Sequence, residues 1–490
     1  MAPELLSQVV VVGAFGLSIL GLLFAPRHLL SWLPGWRDRE LPWFASKIVY
    51  VPLLGVLALG SIHLVFNAFG TGEEMLPFVT WGHVWDTVAD KYEIVFLILS
   101  FAYLSISLDR SGFFEFCSFK IVLFSRGNGI RLLVFMYLLC SFITFFTSND
   151  IVIIAMTPII IYIGYHAKIR NLIPLLVTQF IAANTLSMGL YIGSPTNIVL
   201  GDAAHMTFVD FFLWMFFPSL VACATTLVMV LLLFHFMPLR GIRMQRTFEV
   251  PERASEVHGT VDMWVKVGIF ALCLGFLTAS SFIGLSLWVI CLATALTMLA
   301  HDLILLTRSP EGPRSLLALV SQRMPWAIAP FVLSFFTMVR ALSRTGLTEN
   351  AAATLVALGK GSLIKLSMLF GYVSAGAVNV MNDIPSTVFW ADMIEGETFR
   401  RLFESSPREG RVIVYSLLVG VNPGCYLTII GALAGLIWIS IIKKWVKDDK
   451  QVTPTGWDLS FYGFLMIVPV IFFTCLAVVL EVVLFVKGNM

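Results

Sequence analysis

The chain carries little charge and lacks the motifs of nucleotide-dependent and metal-dependent enzymes. Only 13% of its 490 residues are Asp, Glu, Lys or Arg, about half the share that is usual in soluble domains. The formal net charge of +2 provides no basic surface of the kind that binds nucleic acid. The sequence contains no P-loop, dinucleotide-binding, zinc or kinase motif. We therefore expect no enzyme activity, no cofactor, no metal site and no nucleic-acid partner.

Cysteine is sparse as well. The seven cysteines form no CxxC pair and lie mostly within apolar segments. Buried thiols usually pack as small hydrophobic groups, and we interpret most of these cysteines in that way. Cys425 has a second interpretation, because it directly follows a polar break in an apolar segment.

Long apolar runs are what the chain does contain. Hydrophobic residues make up 58% of the sequence, and a membrane helix needs about 20 of them in succession. The first run, 5–24, follows Glu4 and lacks a basic n-region, which favours a membrane helix over a signal peptide. The sequence thus predicts an all-α polytopic membrane protein. Ten segments have the length of full crossings: 5–24, 48–69, 93–108, 172–200, 207–237, 263–281, 284–306, 325–342, 412–440 and 459–487.

Short motifs recur at half the length of the chain. A half-chain repeat in a very apolar protein predicts a secondary transporter whose binding site lies between the halves, near the bilayer midplane. We divide the chain into a first repeat (1–237), a polar cytoplasmic linker (238–262) and a second repeat (263–490). The recurring pairs are Arg110-Ser111-Gly112 with Arg344-Thr345-Gly346, Arg126-Gly127 with Lys360-Gly361, and Asn149-Asp150-Ile151 with Asn382-Asp383-Ile384.

Two further apolar stretches, 130–162 and 362–394, are interrupted in the middle by Asn-Asp. Such a break suits a re-entrant helical hairpin with a polar tip, since irregular backbone at that depth must be buried or line a cavity. The alternative is that each stretch crosses the membrane fully. With the N-terminus outside and both hairpins returning to their own side, the inside loops hold 22 of the 32 Lys and Arg. Each half then has five crossings and one hairpin, so the repeats are inverted.

The two predicted hairpin tips carry carboxylates. Asp150 and Asp383 have apolar neighbours on both sides, and an ionisable residue deep in a membrane is costly and marks a functional site by default. With Asn149 and Asn382 they supply oxygens that suit a proton or a hard cation such as Na⁺. We expect these four residues to bind the coupling ion, H⁺ or Na⁺; the alternative is that each Asp caps its returning helix. The hydroxyl residues of the tips are assigned to the substrate path: Ser148, Ser386 and Thr387.

Segments 172–200 and 412–440 are broken by Gly and Pro at matching places in the two halves. Such breaks release backbone groups that a ligand can satisfy, and paired broken helices are the best sequence pointer to a transporter's binding site. A plain proline kink is the alternative. The breaks contain Gly193-Ser194-Pro195-Thr196-Asn197 and Asn422-Pro423-Gly424. The residues predicted to line the substrate path are Ser194, Thr196, Asn197, Asn422 and Thr428.

These motifs together resemble arsenite efflux permeases over the whole length of the chain. The resemblance implies membership of the ion transporter superfamily, which also contains sodium–proton antiporters and divalent-anion/sodium symporters. Two departures stand out: Ala183 replaces a usual acidic residue of the permeases, and Ser148-Asn149-Asp150 replaces the Ser-Asn-Thr tip of the symporters. The motifs that carry the resemblance are Asn149-Asp150 with Thr157-Pro158, then Met381-Asn382-Asp383-Ile384-Pro385, Asn422-Pro423-Gly424 and Trp438.

The charge of the tips bears on the substrate. Two carboxylates facing one cavity repel a dicarboxylate unless they are protonated or covered by cations. They suit a cation, or a neutral hydroxide such as As(OH)₃ moved against protons, with Cys425 as a soft contact. We therefore expect proton-coupled efflux of arsenite or antimonite across the inner (plasma) membrane. Sodium–proton antiport and sodium-coupled uptake of a small dicarboxylate or inorganic anion stay open, as do a homodimer and, from another class, a membrane enzyme or scaffold.

Overall fold

The computed structural model describes residues 2–24, 51–59, 81–307, 323–429, 431–446 and 453–486. Its regular structure is helical, apart from one isolated β-bridge between Asn128 and Thr247. Eight helices of this part of the chain are long and apolar enough to cross a bilayer. The prediction of an all-helical polytopic membrane protein is confirmed. Five of the eight fall in predicted crossings, and three are arms of the predicted hairpins.

We number the helices in chain order. They are α1 (Ala2–Phe24), α2 (51–59), α3 (Trp81–Arg110), α4 (Phe113–Ser125), α5 (Gly129–Phe146), α6 (Asn149–His166), α7 (Ile173–Leu186), α8 (Pro195–Ala203), α9 (Phe208–Leu231), α10 (Arg253–Glu256), α11 (Val261–Ile283), α12 (Leu287–Thr307), α13 (Ile328–Arg344), α14 (Leu347–Gly359), α15 (Leu363–Met381), α16 (Asp383–Glu395), α17 (Glu397–Ser405), α18 (Pro407–Gly424), α19 (Leu433–Trp445) and α20 (Gly456–Phe485).

The repeated Arg-Ser/Thr-Gly motif forms a helix corner in both halves. Gly112 (φ +83°) turns the chain from α3 into α4, and Gly346 (φ +75°) turns it from α13 into α14. A positive φ favours glycine, which has no Cβ to clash with the backbone. The repetition in the sequence therefore encodes a repeated change of chain direction.

Helices α5 and α6 form an antiparallel pair, hairpin 1, joined at Thr147 and Ser148. The linker between the halves binds both ends of the pair: the backbone N–H of Gly129 donates to Arg246 O (2.9 Å), and that of Glu249 donates to Ala167 O (3.3 Å). The two ends therefore lie at the same end of the molecule. The linker, predicted to be a connector, also clamps the base of hairpin 1.

Helices α15 and α16 form hairpin 2, which turns at the single residue Asn382. Both of its ends adjoin α14. Gly359 packs against Leu366 near the start of α15, and Glu349 accepts a hydrogen bond from the backbone N–H of Thr398, just beyond α16 (3.2 Å). Hairpin 2 therefore also returns to the end from which it started.

Both segments that the sequence marks as broken are interrupted in the structure. In broken helix 1, α7 ends in a 3₁₀ turn (Ser187–Gly189) and the chain resumes as α8, with Pro195 in the first turn, where no backbone N–H is needed. In broken helix 2, α18 continues through Pro423 to Gly424, so the break follows the predicted Asn-Pro-Gly motif instead of coinciding with it. Both helices extend beyond the predicted ranges, to Ala203 and Trp445.

The hairpins and broken helices pack crosswise. The returning arm of hairpin 1, α6, packs against α19 of broken helix 2, and the returning arm of hairpin 2, α16, packs against α8 of broken helix 1. Helix α5 runs beside α7, as α15 runs beside α18. We call these four elements, with α9 and α20 packed against them, the core.

Helices α3, α11, α12 and α13 pack around one another outside this core, and we call them the frame. A buried ion pair between Lys266 Nζ and Asp302 Oδ1 (2.8 Å) joins α11 to α12. The other oxygen of Asp302 accepts hydrogen bonds from Tyr103 (2.8 Å) and Ser107 (2.6 Å) on α3. Because every partner is satisfied, we assign this buried network to holding the frame together.

One predicted boundary is wrong. The crossing predicted over 93–108 begins earlier, since α3 starts at Trp81. Of the predicted crossing 48–69, the structure describes only 51–59.

Candidate functional site

The tip of hairpin 1 is bound to the break in broken helix 1. The backbone N–H of Asn149 donates to Gly193 O (3.1 Å), and its side-chain Nδ2 donates to Asn184 Oδ1 (3.0 Å). Two oxygens of this tip, Asn149 Oδ1 and Asp150 Oδ1, are buried and accept no hydrogen bond within the part of the chain that the structure describes. Buried acceptors without partners are unusual and point to a bound species.

The tip of hairpin 2 has a strained backbone. Asn382 has φ +77° and ψ 162°, a region that is otherwise almost confined to glycine. Asp383 is buried; its Oδ1 accepts from the N–H of Ile384 (2.9 Å), and its carbonyl accepts from the Thr387 hydroxyl (2.6 Å). One turn on, the buried Ser386 hydroxyl has no hydrogen-bond partner among the described residues. Asp383 is therefore engaged with its own helix, whereas Asp150 is not.

The two broken helices meet through a pair of buried amides. Asn422 Nδ2 donates to Asn197 Oδ1 (2.9 Å), and Asn422 Oδ1 accepts from the Ser187 hydroxyl (3.2 Å). Asn197 Nδ2 in turn donates to the carbonyls of Ser187 (2.8 Å) and Leu190 (2.9 Å). These residues, predicted to line the substrate path, use their amides to hold the breaks in place and to join the two halves.

The other predicted hydroxyl residues also have local partners. Ser194 Oγ lies 2.8 Å from Thr196 Oγ1 at the start of α8. Thr428 donates to Asn379 Oδ1 on α15 (2.8 Å), which ties the break of broken helix 2 to hairpin 2. Ser148 is half-buried and makes no capping hydrogen bond to α6. Asn379 was missed in the sequence, although an Asn three residues before a polar tip is a visible signal.

Cys425 relates the two tips to each other. It is buried directly after α18 and lies close enough to both Asp383 and Asp150 for each carboxylate to act on its charge. Two acidic residues that are far apart in sequence therefore lie in the neighbourhood of one buried thiol. We call the region around Asp150, Asp383 and Cys425 the centre.

A second residue that the sequence analysis did not identify contacts hairpin 1 away from its tip. Gln179, buried on α7, accepts hydrogen bonds through Oε1 from Thr157 on α6 (3.2 Å) and from Trp438 on α19 (3.3 Å). One side chain therefore links hairpin 1 to both broken helices. A lone glutamine in the apolar run that opens segment 172–200 was the available signal.

The chemistry of the centre is that of oxygen ligands. Within the described ranges no group of three or more His, Cys, Asp or Glu lies close enough together to hold a metal ion. The described buried atoms without a hydrogen-bond partner include carboxylate, amide and hydroxyl oxygens of the two tips. Such a set can bind a proton, a cation or a small molecule that donates hydrogen bonds.

The chain is similar to known membrane proteins over most of its length. The "Arsenical pump membrane protein" of Yersinia enterocolitica is 26% identical over 474 residues, covering 94% of this chain and 98% of its own. Its namesake in Escherichia coli (strain K12) is 26% identical over 408 residues, covering 82% and 88%. The crystal structure of the Alcanivorax borkumensis YdaH transporter has the same fold, with a TM-score of 0.57 at 13% identity, covering 89% of this chain and 98% of that one.

A family model described as "Citrate transporter" matches residues 9–398, most of the chain. Together with the membrane helices and the paired broken helices, this match leaves no role for an enzyme. The chain belongs to the CitMHS citrate transporter family and is a multi-pass secondary transporter.

Proposed function

We propose that this transporter exports arsenite or antimonite in exchange for protons, and that Asp150 is the coupling carboxylate. The observation that carries the proposal is the buried Asp150 Oδ1, which has no hydrogen-bond partner among the described residues. A carboxylate in that setting gains by taking up a proton or a cation, since burial disfavours its bare charged form. The equivalent Asp383 is engaged at the start of α16, and we assign it to shaping the second tip.

The proposal includes alternating access by two inverted repeats, with ten crossings and two re-entrant hairpins, in the plasma membrane with the N-terminus outside. The crosswise packing supports it, because each hairpin returns along the broken helix of the other half. So does the tie between Asn197 and Asn422, which joins the breaks of the two halves (2.9 Å). A substrate held there is exposed to one side or the other by movement of the core in the frame.

The hydrogen-bonding capacity of the centre fits a neutral trihydroxide. As(OH)₃ carries O–H donors, and the buried oxygens of the tips that can accept from them include Asn149 Oδ1, Asp150 Oδ1 and Ser386 Oγ. The nearby thiol of Cys425 is the soft group that arsenic and antimony prefer. The relatives named as arsenical pumps support this substrate class.

The family description favours a second candidate, the uptake of a small carboxylate together with cations. Charge argues against a bare citrate anion at this centre. The only basic residues within 130–162 and 362–394 are Arg131 and Lys365, both at the hairpin bases. A polyanion would therefore meet Asp150 and Asp383 without a compensating positive charge from the hairpins, unless cations accompany it.

The test is flux in proteoliposomes that carry a pH-sensitive dye, with arsenite, sodium and citrate added in separate runs. We expect proton movement on adding arsenite, and a loss of at least about tenfold in Asp150→Asn. Glu481→Gln is the matched control: Glu481 is another buried membrane carboxylate, on α20, with a partnerless oxygen. Proton movement with sodium alone would indicate sodium–proton antiport, and proton movement with citrate but not arsenite would establish the second candidate. Both replace the proposal.

A further inference from the structure

A polar cavity of about 230 Å³ opens where the corner between α8 and α9 meets the start of α18. Its walls include two charged side chains, Arg411 and Asp210, and two aromatic ones, Trp214 and Tyr415. None of the four tip residues Asn149, Asp150, Asn382 and Asp383 lines it. The cavity is therefore separate from the proposed transport centre.

The cation of this cavity is held in place without an acidic partner. The Arg411 guanidinium lies 5.1 Å from the centre of the Trp214 ring, and Trp214 stacks on Tyr415 with centroids 5.4 Å apart and planes 16° apart. Cation–π contact fixes the guanidinium but leaves its N–H donors free to point elsewhere. Across the described residues, Arg411 takes part in no ion pair.

The anion of the cavity is fixed independently. Asp210 lies in the first turn of α9, where its Oδ2 accepts from the Thr207 hydroxyl (2.6 Å) and its backbone N–H donates to Thr207 Oγ1 (3.1 Å). Asp210 and Arg411 thus line one cavity, each held by its own neighbours, and form no ion pair with each other.

We propose that this cavity binds a small zwitterion, with a phosphate or carboxylate on Arg411 and a primary ammonium on Asp210. A planar guanidinium recognises such an anion through two parallel hydrogen bonds. A carboxylate accepts from an ammonium that carries N–H donors, which a quaternary ammonium lacks. A cavity of about 230 Å³ is below the usual range for drug-sized ligands, so the ligand is a headgroup or a molecule the size of an amino acid.

The position of the cavity suggests two sources for this chemistry. Helices α9 and α18 both begin here, and α9 exposes Leu213 and Phe217 next to the cavity residue Trp214. Aromatic and basic residues at the ends of membrane helices meet lipid headgroups. Phosphatidylethanolamine supplies the zwitterion from the bilayer, and O-phosphoethanolamine supplies the same groups from solution.

The experiment uses the full chain, purified in detergent, with thermal stability as the readout. Phosphatidylethanolamine, phosphatidylglycerol, phosphatidylcholine and O-phosphoethanolamine are added separately. We expect phosphatidylethanolamine to raise the Tm by at least about 2 °C, and the other two lipids to do markedly less. Arg411→Gln and Asp210→Asn should lose this rise. Arg400→Gln, which removes an exposed arginine of α17, should keep it.

Asn at position 210 still accepts the Thr207 hydrogen bond, so Asp210→Asn keeps the start of α9 intact. Arg411→Lys keeps the positive charge but loses the planar guanidinium that makes two parallel hydrogen bonds. We expect it to show a smaller rise in Tm with phosphatidylethanolamine than the unmodified protein. A rise that survives in Arg411→Gln, or an equal rise with phosphatidylglycerol, overturns the proposal. A rise with O-phosphoethanolamine as well identifies a soluble zwitterion as a ligand, and a rise with the lipid alone identifies the headgroup.

Discussion

Lys91 Nζ lies 2.8 Å from Oε1 of Glu395, the last residue of hairpin 2. The same ammonium lies 3.2 Å from Oδ2 of Asp202 in α8. The Lys91 side chain is only 10% exposed, and the two carboxylates are each about 40% exposed. One cation on the frame therefore holds both a hairpin and a broken helix of the core. The second repeat lacks this contact, since the residue 234 positions after Lys91 is Pro325.

We expect Lys91→Met to lower the free energy of unfolding by about 1–3 kcal/mol, because two carboxylates are left facing each other. Their partial exposure lets water compensate for some of the loss. Thermal unfolding of the purified protein measures the change. Lys168→Met is the matched control: it breaks an exposed pair with Glu249 and should cost about 0–1 kcal/mol. If the two variants lowered the free energy of unfolding equally, the ion pairs of Lys91 would stabilise the protein no more than an exposed pair does.

Replacing an asparagine of a broken helix by aspartate should have different effects on stability in the two repeats. Asn422 must donate to Asn197 Oδ1, so Asn422→Asp places two acceptors against each other and should cost about 2–4 kcal/mol. Asn184 in α7 accepts from Asn149 through Oδ1 and donates through Nδ2 to Phe180 O of its own helix (2.9 Å). Asn184→Asp therefore keeps the contact with hairpin 1 and loses only a hydrogen bond within α7. Melting temperatures and transport rates of the two variants should separate clearly. Similar losses in both would contradict the donor and acceptor assignment.

These two predictions also show what the sequence could and could not supply. Polar residues inside long apolar stretches mark Asn149-Asp150, Asn382-Asp383 and the breaks, because lipid-embedded helices have few other reasons to carry them. The partners of these residues did not follow, because Asn422 meets Asn197 across 225 positions and Lys91 meets Glu395 across 304. The sequence around Lys91, with Asp90 and Glu93 close by, contains no sign of these distant partners.

The difference between the two tips was equally invisible in the sequence. Asp150 and Asp383 occupy equivalent places in the repeat, and the sequence analysis assigned both to the coupling ion. The backbone separates them: the positive φ of Asn382 lets α16 begin immediately, with Asp383 engaged by its own helix. Hairpin 1 instead turns over two residues of extended backbone, Thr147 and Ser148. Such a choice depends on packing around each tip, which no local motif records.

The strain at Asn382 can be measured by comparing glycine with alanine. Both substitutions remove the amide, so their difference isolates the backbone. At position 382, where φ is +77°, glycine should be more stable than alanine by about 1–2 kcal/mol. At position 149, in the first turn of α6, the order should reverse, with alanine ahead by about 0.5–1 kcal/mol. Thermal unfolding of the four variants measures these differences. If alanine were more stable than glycine at both positions, the backbone of Asn382 would not be strained.

The contact between hairpin 2 and broken helix 2 depends on the absence of a side chain at Gly420. A Cβ there would collide with Ser374 Oγ and Gly371 O on α15. Because backbone cannot move aside as a side chain can, Gly420→Ala should separate the two helices and lower the free energy of unfolding by about 2–4 kcal/mol. Transport should fall with it, since this is where the hairpin is held to the substrate path.

Gly376 provides the control for this substitution within the same pair of helices. It lies on α15 with no atom within 4 Å of an added Cβ, so Gly376→Ala should leave stability unchanged or raise it by about 0.5–1 kcal/mol. Adding Ser374→Gly to Gly420→Ala removes one collision and leaves that with Gly371 O, so the rescue should be partial. If Ser374→Gly restored the full stability of the Gly420→Ala protein, the collision would involve the Ser374 side chain alone. If Gly420→Ala were as stable as Gly376→Ala, α15 and α18 would not be in backbone contact.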